Sequence, residues 1–419
     1  MDGPSSELIP RHALALIERA LGDTRVILVN GARQAGKSTL AGLVSAGSSG
    51  AEFRSLDQPQ WLAAARDDPT GFVRHDGLLV IDEIQRAPEL FLALKYEVDA
   101  DPRPGRYLLT GSARILGLKD LPDALPGRME TIELWPFSQG EIERRRDRFA
   151  ERVFTVCDSA LPGLPAIDRD EIAARITRGG FPAAVGRTDE RRRTRLLAGY
   201  VRDLIARDVR QLSDIGRGDE LRRMLQLVAA RTGQLLVASQ LANDLSVSGR
   251  TVLRYLELCE EVFLIKRVPA WSSSLAKRAI SSPKVAFVDS GVAAYLLGQS
   301  RRRLGELTSA TIGPLLEGFV LMELARQLTW ATEEIRLYHY RTKDGIEVDA
   351  VLETNDGRIA GVEVKASASV TSSDFRGLRY LQSQAGDNFA AGVVLYAGDT
   401  ALSFGPRLKA LPVSALWQL

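Results

Sequence analysis

Val26-Ile27-Leu28-Val29-Asn30-Gly31-Ala32-Arg33-Gln34-Ala35-Gly36-Lys37-Ser38-Thr39 is the stretch on which the fold turns. Gly31, Gly36, Lys37 and Ser38 complete the pattern G-x-x-x-x-G-K-S/T. An apolar run, Val26–Val29, leads into it, and a helix-forming segment, Thr39–Val44, follows. Strand, loop and helix in that order make the setting a phosphate-binding loop needs. The glycines let backbone N–H groups converge on the β- and γ-phosphates of a nucleotide, and the helix N-terminus adds partial positive charge. Gly31 to Thr39 would line that cradle, with Lys37 reaching the phosphates and the Ser38 hydroxyl ligating Mg²⁺. A glycine-rich turn of no function could match eight residues by chance, but not readily with the right strand before and helix after.

Working outward, Leu78-Leu79-Val80-Ile81-Asp82-Glu83 is an apolar strand that ends in two acids. Its carboxyl end would lie beside the phosphate loop. There Asp82 can hold the Mg²⁺ shell and Glu83 can polarise an attacking water. Two acids capping a strand would mean little alone; paired with the loop they mean more. Tyr107-Leu108-Leu109-Thr110-Gly111-Ser112 is another buried strand ending in hydroxyls, and Thr110 or Ser112 is a candidate γ-phosphate sensor. An ordinary strand-to-loop turn reads the same way. Arg114 and Arg128 follow as candidate arginine fingers, acting in their own subunit or a neighbour's, although most such arginines are simply solvated.

Composition sets the bounds. The 419 residues are enough for two to four domains, and 45% apolar with 26% charged residues is ordinary for a soluble globular chain. A formal charge of +2 provides no global basic field, so any DNA contact would come from a local patch. Cys157 and Cys259 have no metal-ligand spacing and form no disulfide framework, which suggests a cytoplasmic location. His12, His75 and His339 are scattered, against zinc or a histidine triad. Met1–Pro10 lacks an apolar signal core, and no apolar run approaches membrane length.

Four regions are expected. Residues 1–150 alternate strands and helices, as a parallel α/β sheet domain does. Residues 151–216 form a helical linker or lid, broken at Gly179-Gly180-Phe181-Pro182, with the charge-dense stretch Glu141–Arg152 a solvated helix face leading into it. Residues 217–300 suggest three helices and a strand. A helix at Val237–Leu245, a turn at Ser246–Gly249, a helix at Thr251–Glu260 and an extended Val262–Val268 give the order of a winged helix. Arg250 and Arg254 share a helix face there, with Lys266, Arg267, Lys277 and Arg278 beyond. Such a cluster suits phosphate contacts; the alternative reading is a module that packs on the ATPase and only relays its state.

Residues 301–419 read as a second α/β unit. Ile346–Val351 and Gly361–Lys365 are strands joined by a turn at Asn355-Asp356-Gly357, after a helix at Pro314–Leu328. Residues i and i+2 of a strand share a face, so Glu363 and Lys365 point together, with Asp349 facing them and Glu317 on the helix. Carboxylates so grouped would gather Mg²⁺ or Mn²⁺ on a scissile phosphate, and Lys365 would stabilise the developing charge. A hairpin with a solvated Glu363–Lys365 pair, or a silent binding platform, would show the same residues.

Gly31–Thr39, Asp82-Glu83-Ile84-Gln85 and Leu109-Thr110-Gly111-Ser112 together resemble the bacterial and archaeal AAA-type P-loop ATPases that carry an extra C-terminal domain of unknown function. Pro126-Gly127-Arg128, Pro136-Phe137-Ser138, Gly179–Pro182, Arg207-Asp208 and Thr251–Leu256 extend the resemblance over nearly the whole chain. It implies an AAA-type ATP-binding domain, a helical and winged-helix middle, and a restriction-endonuclease-like end of the PD-(D/E)xK type. The expected ligands are ATP and Mg²⁺, with DNA and further copies of the chain as candidate partners and no membrane. Either nucleotide state is coupled to a DNA-binding, metal-dependent nuclease, or the chain is a nucleotide-gated protein-interaction platform whose nuclease-like domain is silent. A small-molecule kinase is a third, weaker reading.

Overall fold

Alternate residues of the first strand pack on opposite faces of one sheet, which is why its sequence is a continuous apolar run. Val26 and Leu28 join one core with Leu79, Ile81, Tyr107 and Leu109. Ile27 and Val29 join another with Ala13, Ile17, Leu40 and Val44 from two flanking helices. The computed structural model describes residues 8–112, 125, 127–158, 163–209, 218–274, 276, 278 and 281–419. Arg114, Pro126 and Lys277, and the side chains of Arg207 and Asp208, lie outside the described residues.

The chain divides into two compact units. The first comprises Met1–Pro136 with Glu261–Phe263, and the second Phe137–Glu260 with Leu264–Leu419. In the first unit β1 (Val26–Gly31), β2 (Glu52–Ser55), β3 (Leu79–Asp82), β4 (Tyr107–Gly111) and β5 (Met129–Leu134) form a sheet in the order β2-β3-β4-β1-β5. Every pairing is parallel. β4 therefore separates β1 from β3, so the phosphate loop and the acid-tipped strand are not immediate neighbours. β2 and β5 were not anticipated from sequence: β2 is half-buried and carries Glu52 and Arg54, and β5 carries Glu130 and Glu133.

By its contacts the first unit ends at Pro136. The charged stretch 141–152 is no solvated helix. It forms two short helices, Gln139–Ile142 and Phe149–Arg152, with Glu141 and Asp147 fully buried. Glu141 is needed inside as half of a capping box with Ser138. The segment is bound to the long helix Ile312–Trp330: the Gln139 N–H donates to Glu323 at 2.9 Å, Ala150 N–H to Gln327 at 2.9 Å, and the Trp330 indole to the Asp147 carbonyl at 3.0 Å. The helix is apolar nearly all round because it is surrounded by its own unit.

Within the second unit, helices Arg169–Arg178 and Glu190–Asp203 precede three helices, Gly218–Ala229, Ala238–Leu245 and Gly249–Glu261. An antiparallel ribbon follows, β6 (Ile265–Val268) paired with β7 (Lys284–Phe287). The remaining strands are β8 (Ile335–Arg341), β9 (Glu347–Thr354), β10 (Ile359–Lys365), β11 (Phe389–Tyr396), β12 (Leu402–Gly405) and β13 (Leu408–Pro412). They form a mixed sheet in the order β12-β13-β11-β10-β9-β8, with helix Arg376–Ala385 packed on it through Leu378 and Leu381.

Candidate nucleotide site and a charged C-terminal cluster

The loop between β1 and the helix Lys37–Gly47 has the backbone its sequence requires. Gly36 sits at φ 96°, a region closed to most side chains, and Gln34 is also left-handed at φ 63°. Gly31 is glycine for a different reason: a Cβ there would lie 2.1 Å from the Leu134 carbonyl oxygen on β5. Lys37 is 4% exposed and its ammonium donates to the carbonyls of Gly31 at 3.0 Å and Ala32 at 2.9 Å, so it lies across the mouth of its own loop. Arg11 braces the other side, donating to Ala35 O at 3.0 Å and Trp135 O at 2.6 Å. Nothing near Arg11 in sequence marks it for this, since both partners are backbone carbonyls remote along the chain.

Asp82, buried at the end of β3, gathers hydroxyls from three elements. Ser38 donates to its Oδ1 at 2.8 Å, Thr110 to the same oxygen at 2.6 Å, and Ser55 to Oδ2 at 3.1 Å. The Ser38–Asp82 contact brings together the two side chains that the sequence nominated for Mg²⁺. Oxygen donors on the loop and on the strand end suit that hard ion, so the residues fit it. Ser55 was missed because β2 was; a serine ending a short strand is a faint signal.

Thr110 is fully buried on the intervening β4. Its hydroxyl donates to Asp82 and accepts the Glu83 N–H at 3.0 Å. That places it behind the two acids, holding them in position. Ser112 donates to the Glu83 carboxylate at 2.9 and 3.1 Å, and Gln85 donates to it also. Glu83 itself is left-handed at φ 61°, ψ 47°, a conformation costing a non-glycine residue about 1–3 kcal/mol and tolerated where a side chain must be aimed.

Arg128 does not reach this site within its own unit. It precedes β5, whose Met129 is level with Val26 and whose Leu134 is level with Gly31. Six residues of strand, about 20 Å at the usual rise, separate it from the loop edge. It forms an ion pair with Asp99 at 2.5 Å instead, and that pair holds the Asp99 carboxyl below its usual range. Arg128 is thus engaged with Asp99 at the end of β5 away from the loop.

In the second unit Glu317, Asp349, Glu363 and Lys365 do converge, around a residue that sequence reasoning passed over. Lys284 opens β7, is 2% exposed, and donates to Asp349 Oδ1 at 2.7 Å with Glu317 Oε2 at 3.8 Å. The other Asp349 oxygen accepts the Val364 N–H at 2.9 Å, and Glu363 Oε1 accepts from Lys365 at 2.8 Å. Glu363 Oε2 is buried without a hydrogen-bond partner. Burial, and next the charge of Asp349, push Glu317 and Glu363 each up to about 8. Burial pulls Lys284 down, but Asp349 and Glu317 outweigh it and its pKa ends above the ordinary value. Both Asp349 oxygens are thus committed, and an ammonium stands between it and Glu317.

This arrangement does not fit a divalent ion. Among the described residues no group of three or more His, Cys, Asp or Glu is placed to hold one. Glu317, Asp349 and Glu363 are therefore neighbours without being a metal shell. The detectable signal was a lysine opening the otherwise apolar Lys284-Val285-Ala286-Phe287. A cavity of about 400 Å³, lined by Gly233, Gln234, Leu235, Arg341 and Glu347 among others, reaches Lys284 and Glu317.

With this geometry in hand, the chain can be set beside known proteins. Residues 23–143 match an AAA domain, 169–303 a domain of unknown function (DUF8612), and 312–416 another domain of unknown function (DUF4143). An uncharacterized protein of Mycobacterium tuberculosis is 29% identical over 409 residues, covering 97% of this chain and 84% of its own, and one of Mycobacterium bovis matches to the same extent. An uncharacterized Haemophilus influenzae protein is 22% identical over 329 residues, 72% of this chain and 74% of that one. Variants of Thermotoga maritima RuvB are 18–19% identical, with TM-scores of 0.30 and 0.31, over 61% to 63% of this chain and 87% to 91% of theirs. That likeness is too distant to bear on fold or activity. Among the described residues no helix is long and apolar enough to cross a membrane.

Proposed function

We propose that the chain binds Mg-ATP in the loop Gly31–Thr39 and hydrolyses it to ADP and phosphate, with the second unit as a binding platform that responds to the nucleotide. The hydrogen bond from Ser38 to Asp82 carries this reading, because it puts both oxygen donors for the ion at one point beside the loop. Lys37 exchanges its bonds to Gly31 and Ala32 for phosphate oxygens. Thr110 and Ser55 keep Asp82 aimed, and Arg11 keeps the loop from splaying. Mg²⁺, when bound, neutralises charge on the β- and γ-phosphates. Glu83, steadied by Ser112 and Gln85, orients the attacking water and accepts its proton.

The test is Glu83→Gln. It should keep ATP affinity within a few-fold and lower the rate of phosphate release by roughly 10²–10⁴, the range for losing a positioned base. Turnover equal to wild type would refute the assignment. Phosphate release without any acceptor separates an ATPase from a small-molecule kinase.

For the second unit, the Lys284–Asp349 pair favours the silent platform over the metal-dependent nuclease. The restriction-endonuclease-like reading of residues 301–419 rests on the order Glu317, Asp349, Glu363, Lys365 around one sheet. Contact with DNA is a second reading of the middle region, supported by three helices and a two-stranded ribbon in winged-helix order and by the exposed Arg250 and Arg254. Mg²⁺ or Mn²⁺ with mixed DNA and RNA should yield no cleavage; cleavage lost in Asp349→Ala or Lys365→Ala would restore the nuclease.

A further inference from the structure

Lys284 is buried at the start of β7 against the Asp349 carboxylate. We infer that Lys284 is a built-in cation: its ammonium takes the position a divalent ion would occupy between Asp349 and Glu317, and so keeps that cluster metal-free.

The distances state the exchange. One ammonium lies 2.7 Å from Asp349 Oδ1 and 3.8 Å from Glu317 Oε2. It supplies positive charge where the helix Ile312–Trp330 and β9 both present carboxylates. A single charge with three donors satisfies such a pair at hydrogen-bond distance, whereas Mg²⁺ needs about six oxygens at roughly 2.0–2.1 Å. Steric closure is not what keeps an ion out, because the cavity of about 400 Å³ reaches both Lys284 and Glu317. The lysine is also locked in place. Its backbone is part of the β6–β7 ribbon and bridges to Leu235, and Gly233 packs so closely on Glu317 that a Cβ would lie 2.7 Å from the glutamate's Cβ. Removing one partner of a buried ion pair leaves the other uncompensated, so the cluster cannot easily release the ammonium to admit a metal. The inference is independent of nucleotide binding, and its test omits ATP so that failure of one leaves the other standing.

The experiment is a Mn²⁺ titration of the full chain without nucleotide, followed by calorimetry and by loss of the free-ion paramagnetic resonance signal. Wild type and Asp349→Asn should give superimposable isotherms. Lys284→Gln, which keeps a hydrogen-bond donor and removes the charge, should gain one site at least about tenfold tighter than wild type's background, a change of about 1.4 kcal/mol. Lys284→Gln combined with Asp349→Asn should lose it. If these variants fail to fold, wild type is compared with Glu363→Gln, which preserves shape and leaves the Lys284–Asp349 pair; the two should coincide. Stoichiometric Mn²⁺ in wild type that Asp349→Asn or Glu363→Gln removes would overturn the inference, as would a folded Lys284→Gln that gains no site.

Discussion

His339 shows how one buried side chain ties stability to acidity. It is 1% exposed on β8, and its Nε2 lies 3.1 Å from the Ser282 carbonyl. Burial, helped by the charge of Lys284, pulls its pKa down to about 4. In an unfolded chain it would titrate near 6.5. Between those values the unfolded chain binds the additional proton, so stability is fully present above about pH 6.5 and is lost as pH falls toward 4. The full loss is of the order of 3 kcal/mol. His339→Gln should flatten the fall in melting temperature between pH 6.5 and 4.5, measured by circular dichroism; an unchanged slope would mean His339 is not the group responsible. Residues of this kind were the least legible in sequence. Lys37, Ser38, Asp82 and Glu83 stood out because they lie in a short contiguous pattern. Arg11, Ser55 and Lys284 did not, because each is defined by what the fold brings to it from far along the chain.

Strands and helices were read well wherever one residue pattern was enough. β1, β3 and β4 were visible as apolar runs because both faces of their sheet are covered. β2 and β5 were not, because their charged residues break the run. The close approach of β1 to β5 makes a prediction at this scale. Gly31→Ala sets a methyl group against the Leu134 carbonyl and should lower stability by about 1–3 kcal/mol as an overpacking change, seen as a lower melting temperature of the first unit. Wild-type stability in that variant would show that the two strands part freely. The helix Gly249–Glu261 provides a second. Its Arg250 and Arg254 are exposed, and Ser248 caps it by accepting the Thr251 N–H at 3.1 Å. If the helix meets DNA phosphates, replacing both arginines by alanine should weaken binding to all sequences and reduce the slope of log K against log salt by about two. An unchanged slope would place any DNA contact elsewhere.

At the scale of the molecule, chemistry and charge are divided between the units. The first concentrates hydroxyls, one lysine and two acids at the carboxyl ends of parallel strands, where such sheets bind ligands. The second encloses its own ion pairs, Lys284 with Asp349 and Glu323 with Arg326, and its long helix is apolar nearly all round. The burial of 141–152 was not legible in sequence, because so charged a stretch looks like a solvated surface. Only the fold reveals that Glu141 and Asp147 are inside. The catalytic claim rests wholly on the first unit, and titration with Mg-ATP tests it most directly. Calorimetry should record saturable binding of one nucleotide per chain to the wild type and none to Lys37→Ala. No saturation with wild type, or equal binding to both, would contradict the account.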